Sequence, residues 1–296
     1  MTTDSTSAPA RPLTSQTLDV PGAKLTYDIR PNDTSTKPAL VLIGTPMAAS
    51  GFETLSGLVT DRTIVTYDPR GSERSQRTDG SILNSPEEHA DDVAAVIAAV
   101  SSKPVDVFAS SGGAVNALAL VARHPTAVRV LVAHEPPDAA VLPDRDAAFA
   151  AMRHMYDTYQ AKGFGAAMAT FIALTSHKGP IPADFASQPA PDPAMFGMPT
   201  EDDGRRDDPL FGRNAGTTFF EPDFDALRKA PTRIVLAVGE ASADQLTDRA
   251  TRAIAAKLGT EVAVFPGGHG GFNRSPWDPT ADPEAFAAKL VGILDS

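Results

Sequence analysis

Val105-Asp106-Val107-Phe108-Ala109-Ser110-Ser111-Gly112-Gly113 runs an apolar strand straight into a helix, with one serine at the join whose neighbours two residues away on either side are small. In a G-x-S-x-G corner the serine sits on a strained strand-to-helix turn. The positions two before and two after it nearly touch, so neither tolerates a large side chain. Ala109 and Gly113 meet that demand around Ser111, whereas centring the corner on Ser110 would force Phe108 into a crowded position. Such a turn aims the hydroxyl at a helix N-terminus, where free amides and the positive dipole end favour developing negative charge. The Gly112 amide is the natural donor there.

Working outward, short apolar runs at residues 39–43, 63–67, 105–109, 128–133, 234–238 and 262–265 are bounded by turn residues and alternate with Ala-rich helical stretches. This is the pattern of crossover helices on both faces of a mostly parallel sheet, and these six strands should form its centre. Residues 17–20 and 25–30 alternate polar and apolar, as an antiparallel edge does. Ser85-Pro86-Glu87-Glu88 supplies an N-cap serine, a proline at the first helical position and a glutamate at the third, so a helix should run to about Val100. Further helices are indicated over residues 112–124, ended by Pro125, and over residues 282–294.

The strand-helix rhythm breaks over residues 136–230. There a helical stretch, residues 145–175, gives way to a passage rich in Pro, Asp and Gly. The segment reads as a lid inserted after the strand that ends near Glu135, between core segments 17–135 and 231–296, with residues 1–16 a disordered tail. It holds five of the seven methionines, Met152, Met155, Met168, Met195 and Met198, with Phe149, Phe164, Phe171 and Phe196. Adaptable apolar side chains over a cleft suit a greasy substrate, and the same side chains equally suit an insert packing its own core.

A serine nucleophile needs a base. Pro266-Gly267-Gly268-His269-Gly270-Gly271-Phe272 places a histidine late in the chain on a flexible turn after the last strand, with glycines on both sides easing its backbone. Of the other five histidines, His89 and His124 lie on helices, His154 and His177 lie in the insert, and His134 at a strand end packs or hydrogen-bonds locally. None has metal-ligand spacing, and H-E-x-x-H, P-loop and G-x-G-x-x-G patterns are absent from the sequence, so neither metal nor cofactor is expected.

With these residues in place, the chain resembles the α/β-hydrolase superfamily from about Thr17 to its C-terminus, especially bacterial members with an S-S-G-G elbow and a lid. Gly44-Thr45-Pro46 follows the first central strand where that family has H-G-x-P, with Ile43 replacing the histidine. The match implies that Thr45 supplies the second oxyanion amide, since Pro46 has no N–H; Met47 is the alternative. Tyr67-Asp68-Pro69-Arg70-Gly71-Ser72-Glu73-Arg74-Ser75 is similar to the family's Y-D-x-R-G-x-G-x-S loop, with Glu73 at a glycine position; Asp68 and Arg70 are expected to hold it as a paired turn. The family's usual triad acid would fall at position 242, which is Ser242. Glu240 and Asp244 lie nearby. A second arrangement in the superfamily places the acid after the strand following the nucleophile helix, and Val132-Ala133-His134-Glu135-Pro136-Pro137 puts Glu135 there. Glu135 is the preferred assignment, as the carboxylate that fixes the His269 tautomer.

Composition narrows the function classes. A net charge of −11 and no basic stripe argue against a nucleic-acid partner, and no stretch approaches the roughly 18 apolar residues of a membrane span. Cysteine is absent from the 296 residues, excluding disulfides and thiolate chemistry, and no signal-peptide pattern opens the chain, so a cytoplasmic protein acting on a small molecule is expected. The chemistry implied is acyl transfer, most simply hydrolysis of an ester or lactone with a fairly apolar acyl part. Amidases, thioesterases, acyltransferases, cofactor-free haloperoxidases and carbon–carbon hydrolases share the fold, as do non-catalytic binders.

Overall fold

The computed structural model describes residues 12–274 and 278–296. In chain order the elements are β1 (Thr14–Val20), β2 (Ala23–Arg30), β3 (Leu40–Thr45), α1 (Glu53–Leu58), β4 (Ile64–Asp68), a short β5 (Gln76–Arg77), α2 (Pro86–Val100), β6 (Val105–Ser111), α3 (Gly112–Arg123) and β7 (Val128–His134). Then come α4 (Arg145–Ser176), α5 (Phe224–Lys229), β8 (Arg233–Gly239), α6 (Leu246–Leu258), β9 (Val262–Phe265) and α7 (Pro283–Asp295). β1 starts at Thr14, so residues 14–16, expected in the tail, belong to the sheet; the rest of that tail, residues 1–11, lies outside the described residues.

Strand order is β1-β2-β4-β3-β6-β7-β8-β9, with β5 beside β2. β3, β4, β6, β7, β8 and β9 pair in parallel, and β1 and β2 form the antiparallel edge that their alternation indicates. β3 and β4 are buried throughout, as is β6 up to Ser111, because helices cover both faces. One face packs under α2, α3 and α6, the other under α1 and α7. β9 departs from expectation in being the sheet's other edge, where Val264 is exposed. At the start of α2, Ser85 and Glu88 form the reciprocal capping box that their spacing indicates.

The chain leaves β3 toward β4 and returns across β3 to β6, so the winding reverses between β3 and β6. In doubly wound sheets a ligand crevice opens at the carboxyl ends of the strands flanking such a reversal. Here those ends are Thr45 and Ser111, paired in register. Residues 136–230 leave the sheet after β7 and rejoin it at β8; α4 within them breaks at Gly163, whose φ of 80° and ψ of −171° are non-helical. Among the described residues, no helix is long and apolar enough to cross a membrane.

Candidate active site

The corner between β6 and α3 falls on Ser111, at φ 58° and ψ −133°, a sparsely populated conformation that costs on the order of 1–3 kcal/mol and persists only where packing dictates it. The dictating contact is at Gly113. A Cβ there would lie 2.5 Å from the Ile43 carbonyl oxygen, so only glycine lets α3 start this close to β3. Ile43, where the resembling family has histidine, is fully buried in the core. Thr45, Met47, Ser111 and Gly112 line one cleft.

His269 lines the same cleft. Its loop turns at Gly267, whose φ of 82° favours glycine, and folds back against the end of β8. His269 Nδ1 lies 2.6 Å from Glu135 Oε2, which leaves Nε2 as the ring nitrogen that Glu135 does not engage. Glu135, fully buried at φ 51° just past β7, accepts from the Gly239 amide through Oε1 (2.8 Å) and from Thr247 Oγ1 through Oε2 (2.9 Å). Burial alone would raise this carboxyl. The His269 hydrogen bond, the neighbouring imidazole charges and the Ser242 hydroxyl instead hold it well below the carboxylate range, so it stays ionised. Burial in turn pulls the His269 imidazole down, but the hydrogen bond and charge of Glu135 outweigh that and leave it raised. Glu240 is exposed, and Asp244, at φ 67°, takes a hydrogen bond from Gly179 on its backbone carbonyl; among the described contacts the carboxylate on His269 is that of Glu135.

The cleft has a volume of about 700 Å³. Met152, Met155, Met168 and Phe171 from α4, with Leu210 and Leu246, make an apolar wall, and no Lys or Arg is among the described lining residues. An apolar site with a few convergent polar groups is the usual form of a small-molecule pocket. The insert's large apolar residues divide between the two expected roles. Those four line the cleft, whereas Phe149 packs tilted against Phe219, Phe164 packs on Phe211, and Met195 is exposed. The insert is tied to the core by the buried Asn214, whose Oδ1 accepts from Asn84 (3.1 Å) and His89 Nε2 (2.9 Å), and by an ion pair between Asp144 and Arg249.

A strand-to-helix serine corner, a late loop histidine held by a buried carboxylate, and a cleft beneath an insert after β7 all sit at the switch point of one parallel sheet. The family model described as alpha/beta hydrolase fold matches residues 40–272. The chain belongs to the alpha/beta hydrolase fold family. This hydrolase-fold chain is 29% identical over 292 residues to the uncharacterized hydrolase YraK of Bacillus subtilis (strain 168), covering 94% of this chain and 95% of that protein. Among solved structures it is similar to a proline iminopeptidase of Mycobacterium smegmatis (TM-score 0.62, 20% identity, 95% of this chain and 98% of that one). It is equally similar to the esterase EaEST of Exiguobacterium antarcticum (TM-score 0.62, 18% identity, 94% and 97%). A peptidase and an esterase at the same structural distance share the fold and leave the bond cleaved to be argued from the site.

The loop after β4 departs from its expected pairing. Asp68 and Arg70 do not bond each other: Asp68 takes Arg74 and the Ala49 amide, while Arg70 reaches Asp92 and Glu88 on α2. Arg70 meets a buried carboxylate on α2 and Asp68 meets the Arg74 guanidinium, so each is satisfied without the other. Glu73, at the family's glycine position, keeps a glycine-like φ of 47°. The His134 ring makes no hydrogen bond among the described residues. It sits fully buried among Phe108, Phe265, Phe272 and Phe286, where burial pushes its imidazole down to about 4. Sequence reading missed Thr247, which donates to Glu135, because it belongs to no motif. It also missed Asn116, although a lone amide in the helix Gly-Gly-Ala-Val-Asn-Ala-Leu-Ala-Leu was a visible signal.

Proposed function

We propose that this alpha/beta hydrolase is a serine esterase acting on a neutral ester or lactone with an apolar acyl part. Ser111 attacks the carbonyl carbon while His269 Nε2 takes the hydroxyl proton; the carbonyl oxygen, now negative, is received by the amides of Thr45 and Gly112. Collapse of the tetrahedral adduct expels the alcohol, which takes the proton back from His269. Water, deprotonated by the same imidazole, attacks the acyl carbon, and collapse of the second adduct releases the acid as the imidazolium returns its proton to Ser111 Oγ. Glu135 holds Nδ1–H and stabilises the imidazolium in both halves without itself being protonated.

The observation that carries the proposal is the 2.6 Å Glu135–His269 contact at the rim of the cleft that also holds the strained Ser111. Two further features favour an uncharged, apolar ester: the methionine-rich wall, and the lack of a Lys or Arg among the described lining residues to pair with a phosphate or carboxylate. The test is turnover of p-nitrophenyl esters of two to eight acyl carbons, with a p-nitroanilide and an acyl-CoA thioester in parallel, plus stoichiometric labelling by a fluorophosphonate. Ester turnover with labelling at Ser111, both lost in Ser111→Ala, supports the proposal. Folded protein that neither turns over nor labels points to a small-molecule binder, and preference for the anilide or thioester rejects the ester assignment.

A further inference from the structure

Asn116 is the only polar side chain between Gly112 and Ala122 in α3, and it is buried to 1% exposure. Its Nδ2 donates to Thr45 Oγ1 at 2.9 Å, and that hydroxyl donates onward to the Gly44 carbonyl at 2.6 Å. Its Oδ1 has no partner among the described residues. We propose that Asn116 is a positioning residue which, through the Thr45 hydroxyl, locks the end of β3 to the nucleophile helix and so fixes the distance between the two oxyanion amides. The inference rests on the esterase reading above, in which those amides belong to Thr45 and Gly112.

The physical need is plain from where the donors sit. Gly112 opens α3 and Thr45 closes β3, so the two amides ride on different elements, yet oxyanion donors must hold their geometry to roughly 0.5 Å. The register pair Thr45–Ser111 and the close approach of Gly112 to the Thr45 carbonyl (2.7 Å from an added Cβ) set the two elements side by side. Among the described residues, the Asn116 bond is the side-chain hydrogen bond that links them next to the site. As a device for stability it is poor. A buried amide with one end unsatisfied costs about 1–3 kcal/mol, and an apolar residue of similar size in this Ala- and Leu-rich helix would avoid that cost. A positioning role and a packing role therefore predict opposite signs for stability on substitution.

The experiment compares Asn116→Leu, Thr45→Val and the double variant in the full chain, with p-nitrophenyl butyrate kinetics and urea unfolding, alongside Ser111→Ala. Expected for Asn116→Leu is a roughly 10- to 100-fold fall in kcat with KM within about two-fold, and an unfolding midpoint equal to or above wild type. Thr45→Val should fall similarly, and the double variant no further than the worse single, because both changes break the same link. Wild-type kcat in Asn116→Leu, multiplicative losses in the double variant, or a loss matched by a lowered unfolding midpoint overturns the inference. Should Asn116→Leu fail to fold, Thr45→Val with its KM-against-kcat split decides. Turnover surviving in Ser111→Ala instead rejects the esterase reading itself, which separates the two failures.

Discussion

Asp138 sits at the root of the insert, three residues past Glu135, and its replacement by asparagine is a quantitative probe of that corner. The side chain is fully buried; Oδ1 caps the following turn by accepting from the Ala140 amide at 3.0 Å, and Oδ2 has no partner among the described residues. Burial, reinforced by the charge of Glu221, pushes the carboxyl up to about 7 against the opposing Ala140 amide and Lys257. The folded chain therefore holds a proton between about pH 4 and pH 7 that the unfolded chain has released. A folded pKa raised above the unfolded one contributes stability that is complete below about pH 4 and lost as pH rises through 7. A shift of about three units is worth about 4 kcal/mol at 1.36 kcal/mol per unit.

Asparagine keeps the size and the cap but carries no charge, so Asp138→Asn should match wild type near pH 4 and gain on it steadily, leading by about 4 kcal/mol at pH 8.5. At about 2 °C per kcal/mol for a chain of this size, that is roughly 8 °C in Tm. His134 opposes this. Its pKa is depressed to about 4, so its contribution is present above about 6.5 and lost as pH falls, by about 3 kcal/mol. In wild type the two slopes offset between about pH 4 and 6.5, and Asp138→Asn should uncover the acid-side loss. Urea unfolding at half-unit intervals from pH 4 to 9 measures both. Parallel stability curves for the two proteins, or a variant less stable than wild type at pH 8.5, would refute the reasoning.

Glu135→Gln should cut kcat by roughly 10⁴-fold, the scale on which a triad acid acts when made an amide, and should move the acid limb of kcat/KM to lower pH, because Glu135 is what raises His269; pH–rate profiles check both. Met155→Ala with Met168→Ala, both half-buried on the cleft wall, should shift acyl preference toward longer chains in the p-nitrophenyl series. Met152→Ala, packed in the core, should instead cost about 2–5 kcal/mol in urea. Adding Ser242→Asp to Glu135→Gln should recover about ten-fold in kcat over Glu135→Gln alone, since position 242 lies on the turn after β8, whose Gly239 amide already bonds the Glu135 carboxylate; no recovery in the folded double variant rejects an acid reaching His269 from that turn.

The sheet was legible because its central strands are buried on both faces and so read as unbroken apolar runs, and the strand-to-helix corner at Ser111 because such a turn forbids large neighbours at two counted positions. The edges of both were harder. β1 reaches back to Thr14 through Thr-Ser-Gln, which carries no apolar signal because that face meets solvent, and its pairing with β2 rather than its composition makes it a strand. The polar links Asp68–Arg74, Arg70–Asp92 and Asn116–Thr45 join residues brought together only by the fold, so spacing along the chain could not choose them. Within the insert, the helix was visible but its break at Gly163 was not, and the side of each methionine depends on that break.

Spacing along the chain leaves Glu135, Glu240 and Asp244 open as partners for His269, and the carboxylate that reaches its ring is that of Glu135. β7 and β8 are neighbours, so an acid at the end of either can approach the loop after β9 that bears His269. An acid on β8 would start beside that loop. One on β7 must cross the end of β8 first, and the Glu135 carboxylate does so over Gly239, whose amide it takes on the way. No larger residue would serve at 239: a Cβ there would lie 2.6 Å from the Gly267 carbonyl oxygen and 2.7 Å from that of Gly268, pushing the histidine loop off the strand. The extra methylene of glutamate over aspartate supplies reach, and the positive φ of Glu135 turns the side chain across rather than along the sheet. With the carboxylate arriving from β7, position 242 needs only a donor to hold it, and serine there is consistent with that division of labour.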